Sequence, residues 1–532
     1  MAGDFAEFSN DTLGRSKVYS EAYFGTESRD IAGEYTLPDY LPDIAKILSV
    51  RAVPTLGNKS AGDGTMEWQG EVHYNVVYVT TDGAPASAVF AEPFSGGAAV
   101  ESLTGDCIAE LIPGVDQVSV KPINARRVGL KSRVTVRGTV LCEKSVDTEV
   151  QGKQTIEDGF NLEYLKETVK NLEIKTGSAR DVMISEDVEL DSGLPSVKDI
   201  VSCSVTVLLP EVRPRADEAD VSADLMLDLV FESEDGDYSV MHKRLRMSET
   251  VAVPGLKPEY ECTARVEAGI LKASAQNNSY GERRIIELDF PCDIEVTGYH
   301  SREISVIADM YSTACGLDTV KDTVETAIFK RAYTANVSVN ASSEKEGAGL
   351  AAARSIIDGS VVLEDTEFTY LPDKRKIMTE GTAVVTVIAT GEENSKAYYT
   401  GSFKFPYKIE IDSSEEGENL RLMGKTVILA QRYRMDASNV YGDIEVGVQI
   451  TAFEKEKHEY VSAAILDKSN AAETRCSGFT LYYPEEGETL WEIAKKYQIS
   501  RKSIEDANGG RESGVILIPN KHTFTPAFSK MV

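Results

Sequence analysis

The chain is poor in the side chains from which metal centres and nucleophilic sites are built. Its 532 residues hold only five histidines, and its seven cysteines are scattered without a CxxC pair. His73, His242, His300, His458 and His522 show neither HxxxH nor Cys/His spacing, so no metal or cofactor is expected and each reads as a surface or structural histidine. Cys107, Cys142, Cys203, Cys262, Cys292, Cys315 and Cys476 form an odd set unsuited to a disulfide framework, which points to a reducing compartment. No run of about 18 apolar residues occurs, so the pattern offers no membrane-spanning helix. The stretch Met1-Ala2-Gly3-Asp4-Phe5-Ala6-Glu7 lacks the basic and apolar regions of a signal peptide, and a soluble cytoplasmic protein is expected. Basic residues are scarce as well. With 56 against 86 acidic residues the formal charge is −30, a field that repels nucleic acid and anionic membrane surfaces. A basic or mixed protein surface is the partner that such a charge allows.

Catalytic signatures are equally thin. No Gly-x-Ser-x-Gly elbow occurs, and no Cys/His pair carries a local signature. Gly424-Lys425-Thr426 has the end of a phosphate loop, but Asn419 stands where that loop needs its first glycine. Glu415-Glu416 and Glu485-Glu486 lie in polar, Gly- or Pro-flanked segments and read as solvated loops rather than a glycosidase pair. No catalytic residue is assigned, and enzymatic activity is not expected.

What the sequence does contain is repetition. Its length suggests three or four domains at about 150 residues each, and 42% hydrophobic residues leave ample material for their cores. Leu41-Pro42 recurs as Leu194-Pro195, an offset of 153 (195 − 42), and the same offset carries Ile47-Leu48-Ser49 onto Ile200-Val201-Ser202. It also carries Tyr78 onto Phe231, Asp82-Gly83 onto Asp235-Gly236, and Ala99-Val100 onto Ala252-Val253. A fainter third copy aligns Ile356-Ile357 with Ile47-Leu48, and Asn439-Val440-Tyr441-Gly442 with Asn278-Ser279-Tyr280-Gly281. Runs such as Glu71 to Tyr78, Val201 to Leu209 and Ile444 to Phe453 alternate apolar and polar residues and are rich in β-branched and aromatic types, so they read as half-buried strands. Glycine turns between them imply antiparallel hairpins. The expected fold class is mainly β: three tandem antiparallel β-sandwich or barrel-like domains (1–150, 151–315 and 316–465), linked in series, then a linker (466–478) and a small α+β unit (479–521). Helical patterning within the repeats is limited to Leu41 to Leu48, Asp158 to Leu172 and Ala348 to Ile357. Arg126-Arg127, Arg283-Arg284, Lys495-Lys496 and Arg501-Lys502 are small basic spots, candidates for docking an acidic surface.

The tail has its own grammar. Leu490, Ile493, Ala494 and Tyr497 share one helix face, with Thr489 and Glu492 placed to form a capping box. A second helix fits Ser500 to Ala507, capped by Ser500 and ended by Asn508-Gly509-Gly510, and short strands fit Phe479 to Tyr483 and Val515 to Ile518. Gly487-Glu488-Thr489-Leu490-Trp491 with Ile493-Ala494, the closing Asn508 and Gly514 with Leu517-Ile518-Pro519 resemble a LysM module, with Glu488 in place of the usual Asp. The resemblance implies a groove for N-acetylglucosamine glycans between Gly487, Glu488, Thr489 and Leu490 on one side and Val515, Ile516 and Leu517 on the other. Leu490, Ile493, Tyr497 and Leu517 are of types usually buried, and the apolar Val515 and Ile516 suit a protein partner at least as well as a sugar.

Across the whole chain, three β repeats followed by one LysM, with Leu37-Pro38-Asp39-Tyr40-Leu41-Pro42-Asp43-Ile44 and Lys46-Ile47-Leu48, resemble the clostridial spore-coat morphogenetic proteins built from SPOCS domains. That resemblance implies a non-enzymatic scaffold made in the mother cell and placed at the forespore surface. It further implies that the LysM region binds the coat-basement ATPase, and it allows self-association through the repeats. Peptidoglycan is the alternative partner.

Overall fold

The structure is a computed structural model that describes residues 5–7, 13–62, 64–100, 106–150, 161–234, 236, 238–391, 397–413, 420–471, 478–511 and 514–519. After a short β1 (Phe5–Glu7), the first repeat comprises β2 (Leu13–Thr36), β3 (Ile44–Gly62), β4 (Thr65–Thr80), β5 (Pro85–Ala99), β6 (Cys107–Asn124) and β7 (Arg127–Val150). The second comprises β8 (Leu162–Glu189), β9 (Val197–Val207), β10 (Glu211–Pro214), β11 (Glu218–Ser233), β12 (Tyr238–Ala252), β13 (Glu261–Ala268), β14 (Lys272–Asn277) and β15 (Arg283–Ser312). The third comprises β16 (Cys315–Glu344), β17 (Ser355–Leu371), β18 (Lys376–Thr390), β19 (Tyr398–Asp412), β20 (Arg421–Met435) and β21 (Asn439–Ala471). The C-terminal unit is β22 (Phe479–Tyr482), α1 (Leu490–Tyr497), α2 (Arg501–Asn508) and β23 (Ile516–Pro519). No helix among the described residues is long and apolar enough to cross a membrane.

Each repeat is two antiparallel sheets. In the first, β7 pairs with β2 and β6 while β4 pairs with β3 and β5. The second repeats this with β15 between β8 and the β13/β14 pair, and β11 between β12 and the β9/β10 edge. The third has β21 between β16 and β20, and β18 between β17 and β19; β1 lies across the far end of β21. Strict period-two burial makes the strands: in β11, Ala219, Val221, Ala223, Leu225, Leu227, Leu229 and Phe231 all point inward, and the residues between them do not. In the first repeat both sheets feed one core, which includes Trp68, Tyr74 and Tyr78 from the second sheet and Leu130, Val134 and Val136 from the first. Tyr74 and Ser132 share a buried hydrogen bond of 2.6 Å between the two sheets.

The three helices expected within the repeats are absent among the described residues. Leu41 to Asp43 belong to a turn, and Ile44 onward is β3, paired with β4. Asp158 and its neighbours to 160 lie outside the described residues, while Leu162 to Leu172 are paired residue by residue with Ser301 to Ser312 of β15. The spacing that suggested a helix is overridden by a strand partner 129 to 150 positions away (301 − 172 and 312 − 162), which no local pattern reveals. Ala348 to Arg354 form turns through Leu350 N–H to Lys345 O and Ala353 N–H to Leu350 O before β17 begins. The third-copy alignment also shifts. Asn278 to Gly281 form the β14–β15 turn, but the matching turn is Asp436 to Ser438, and Asn439 already opens β21. Asn278 and Asp436 each accept backbone N–H groups two to four residues on, which marks them as equivalents.

Two further expectations change. Cys107 and Cys142 are directly opposed on β6 and β7 and form a disulfide; the odd count hid a pair that only strand register brings together. Cys203, Cys262, Cys292 and Cys315 are free thiols.

The repeats do not hang in series either. Ser87 Oγ of β5 donates to Val201 O of β9 at 2.6 Å, and Thr400 Oγ1 of β19 donates to Leu48 O of β3 at 2.7 Å, with Leu48 and Val201 standing at equivalent positions. His242 of β12 meets Asp358 of β17 at 3.8 Å. The first repeat therefore leans on the second, the second on the third and the third on the first, closing a ring with approximate threefold symmetry. One cluster draws on all three repeats: Leu141, Leu172, Tyr299, Phe329 and Phe453. Within it Tyr299 stacks on Phe329 at 4.8 Å, and Phe453 meets both rings edge-on.

Candidate binding face of the C-terminal unit

The unit is a βααβ fold set by local signals. Thr489 N–H donates to Glu492 Oε2 at 2.7 Å and Glu492 N–H to Thr489 Oγ1 at 3.3 Å, completing the capping box. Leu490, Trp491, Ile493 and Ala494 turn inward from α1. Ser500 caps α2, and Gly509 ends it with φ +59°. Asn508 then ties α2 to β23: its amide donates to Ile504 O and Leu517 O, and its oxygen accepts Leu517 N–H, each at 2.7 Å.

The seven expected groove residues divide. Gly487 and Thr489 are exposed on the loop before α1, where Gly487 has φ +87°. Glu488 is half-buried and its carboxylate is committed to the loop, accepting Tyr482 Oη at 2.8 Å and Glu485 N–H at 3.1 Å. Leu490 and Ile516 are core residues, Ile516 being 0% exposed. Val515 is 46% exposed and Leu517 half-buried. Gly487, Thr489 and Val515 are thus exposed, Glu488 and Leu517 partly so, and Leu490 and Ile516 are withdrawn into the core.

Sequence reasoning missed that β22 extends this surface. Its register places Leu481 opposite Leu517 and Phe479 opposite Pro519, so Leu481 and Phe479 share the outer face with them, and Tyr483 follows. Phe479, Leu481 and Tyr483 are all strongly exposed, and exposed Glu485 and Glu486 rim the patch. The alternation of Phe479, Leu481 and Tyr483 with residues facing the core was the available signal.

The opposite side is occupied by the ring. Trp491 Nε1 donates to Asp309 Oδ2 at 2.8 Å, Lys495 Nζ pairs with the same carboxylate at 2.7 Å, and Tyr311 Oη donates to Ile499 O at 2.7 Å. Gln498 reaches Cys315 O at 3.1 Å, and Tyr311 packs edge-on against Trp491. A register shift between Ile307 and Asp309 on β15 re-aims the chain there. Burial alone would raise the Asp309 carboxyl, but Lys495 and Trp491 hold it below its ordinary range.

Most of the basic spots are engaged internally, while Lys502 is exposed. Arg126 donates to Asp43, Leu41 O and Pro38 O; Arg284 to Leu194 O and Asp191 O; Arg283 to Lys198 O. Arg127 pairs with Glu34, Lys496 with Tyr482 Oη, and Arg501 with Glu505. Gly424-Lys425-Thr426 lies inside strand β20.

No curated protein and no solved structure matches the chain. Residues 485–520 match the model of the LysM domain family, and with its capped helices and paired short strands the C-terminal unit is a LysM domain.

Proposed function

We propose that the protein is a non-enzymatic adaptor in which the β ring holds the LysM domain by one side so that the other side engages a protein partner. The observation that carries this reading is the outward apolar patch of Phe479, Leu481, Tyr483, Val515 and Leu517 on a domain whose remaining side is anchored at Asp309. Its acidic rim and the chain's charge of −30 favour a partner with an apolar centre and basic surroundings. The resemblance of the repeats to SPOCS domains supports endospore coat assembly as the setting, the coat-basement ATPase as that partner and the forespore surface as the place. Co-purification of the full chain with that ATPase, lost on Leu481→Asp and Val515→Asp, is the expected result. Retention by both variants overturns the docking face.

The LysM match supports a second reading, an N-acetylglucosamine glycan lying across Gly487, Thr489, Val515 and Leu517. Saturable sedimentation with purified peptidoglycan, competed by N-acetylglucosamine oligomers, would select it over the first.

A further inference from the structure

Where the three repeats meet, the paired strands β6 and β7, β13 and β15, and β20 and β21 line a common space. Two adjoining chambers of 340 and 600 Å³ share walls at Val53, Ile112 and Lys425. Together they fall in the size range of small-molecule sites. Strand register puts Ile112 opposite Arg137, Arg265 opposite Glu295 and Lys425 opposite Gln449. Two residues further along each central strand stands a threonine, Thr139, Thr297 and Thr451, which fixes these three pairs as equivalents.

In the second repeat the charges are paired, because Arg265 reaches Glu295 at 2.8 Å and Glu267 at 2.6 Å and Lys59 reaches Glu295 at 2.7 Å. In the first repeat Arg137 faces an isoleucine, donates to the backbone carbonyl of Thr366 and has the Asp116 carboxylate nearby, with further donors left over. In the third repeat Lys425 faces a glutamine, and its ammonium has no hydrogen bond or ion pair among the described residues. Lys425 is half-buried and lines both chambers. Burial pulls its ammonium down to about 8, and the Glu267 carboxylate, which lines the same chamber, offsets this only in part. An ammonium without a hydrogen-bonded partner at a chamber wall is a ready donor to an anion that enters the chamber.

We propose that this axial cavity is a binding site for one small anion bearing phosphate or carboxylate groups, held by Lys425 of the third repeat with Arg137 of the first as the second cation. The three repeats close around it, so the ligand bridges parts of the chain that are far apart in sequence. This site is separate from the LysM face and does not depend on that reading.

The test is calorimetric titration of the full chain with inorganic phosphate and, separately, citrate, at ionic strength held constant with sodium chloride. Saturable binding of one anion per chain is expected, and the arm that binds more tightly tells phosphate from carboxylate chemistry. Lys425→Met removes the cation. Gln449→Glu instead supplies an internal counterion in the way Glu295 serves Arg265, with little change in volume. Both variants should weaken binding at least tenfold, Gln449→Glu should also raise the melting temperature, and the exposed Lys502→Met should change neither. Absence of saturable binding by the unmodified chain overturns the site, as does equal binding by Gln449→Glu.

Discussion

Single side chains do much of the fastening between the sheets of a repeat. Leu37 N–H bonds Arg126 O, Leu190 N–H bonds Arg284 O and Lys345 N–H bonds Ser438 O, so the three turns occupy the same place in the repeats. In two of them the arginine then folds back over the turn carbonyls. The third has Ser438 in its place, and the cation comes from the turn itself, with buried Lys345 donating to Ala353 O at 2.7 Å. The Leu-Pro motif therefore serves architecture, and Arg126→Ala should destabilise the protein by about 2–3 kcal/mol in urea titration, with Arg126→Lys recovering only part because a lysine lacks the fork. Glu295 is a second such fastening. Burial favours its neutral form, but Arg265 and Lys59, the latter from another repeat, hold its carboxyl down to about 2. A carboxyl lowered on folding contributes stability that is present above its ordinary 4.5 and lost as pH falls toward 2. Glu295→Gln should accordingly flatten the acid limb of a stability-against-pH curve below pH about 4.5, and an unchanged limb would remove Glu295 from the account. These roles were illegible beforehand, since Arg126 and Arg284 look in sequence like any exposed basic pair.

Elements whose signals are local were legible. The capping box, the Ser500 cap and the glycine stop placed α1 and α2 to within a residue or two, because each is written within four positions of the helix end. Long strands were misread where their partner lies far away, as with β8 against β15. The seating of α1 on β15 was invisible for the same reason. It predicts that Asp309→Ala, which leaves Trp491 and Lys495 without their shared acceptor, will loosen the LysM domain while the ring stays folded. The chain has two tryptophans, Trp68 in a repeat core and Trp491 at this seat, so the loosening should red-shift the emission, and a Trp491→Phe background should abolish that shift. An unmoved spectrum would mean that Asp309 does not hold the seat.

At the scale of the whole molecule, the repeat offset pointed to two similar units and a fainter alignment to a third, and their alternation marked them as β. Ring closure was beyond reach, since it rests on contacts such as Ser87 to a backbone carbonyl that leave no pattern in sequence. If the shared cluster around Tyr299 couples the repeats, Tyr299→Ala should cost about 3–5 kcal/mol and lower the melting temperature of the ring as a single transition. Calorimetry that resolves the second repeat melting alone would show that the units are energetically separate. Fusing three like units in one chain also lifts a constraint that binds any true homotrimer. There, whatever faces the axis is present three times, so a lysine at this level would mean three ammonium groups crowded together with no acid to spare. Here the same level carries Ile112, Arg265 and Lys425 against Arg137, Glu295 and Gln449, and the chamber is lopsided, with one ion-paired side and two sides where a cation faces an uncharged residue. A lopsided chamber can fix the orientation of what enters it, which threefold-identical walls cannot do.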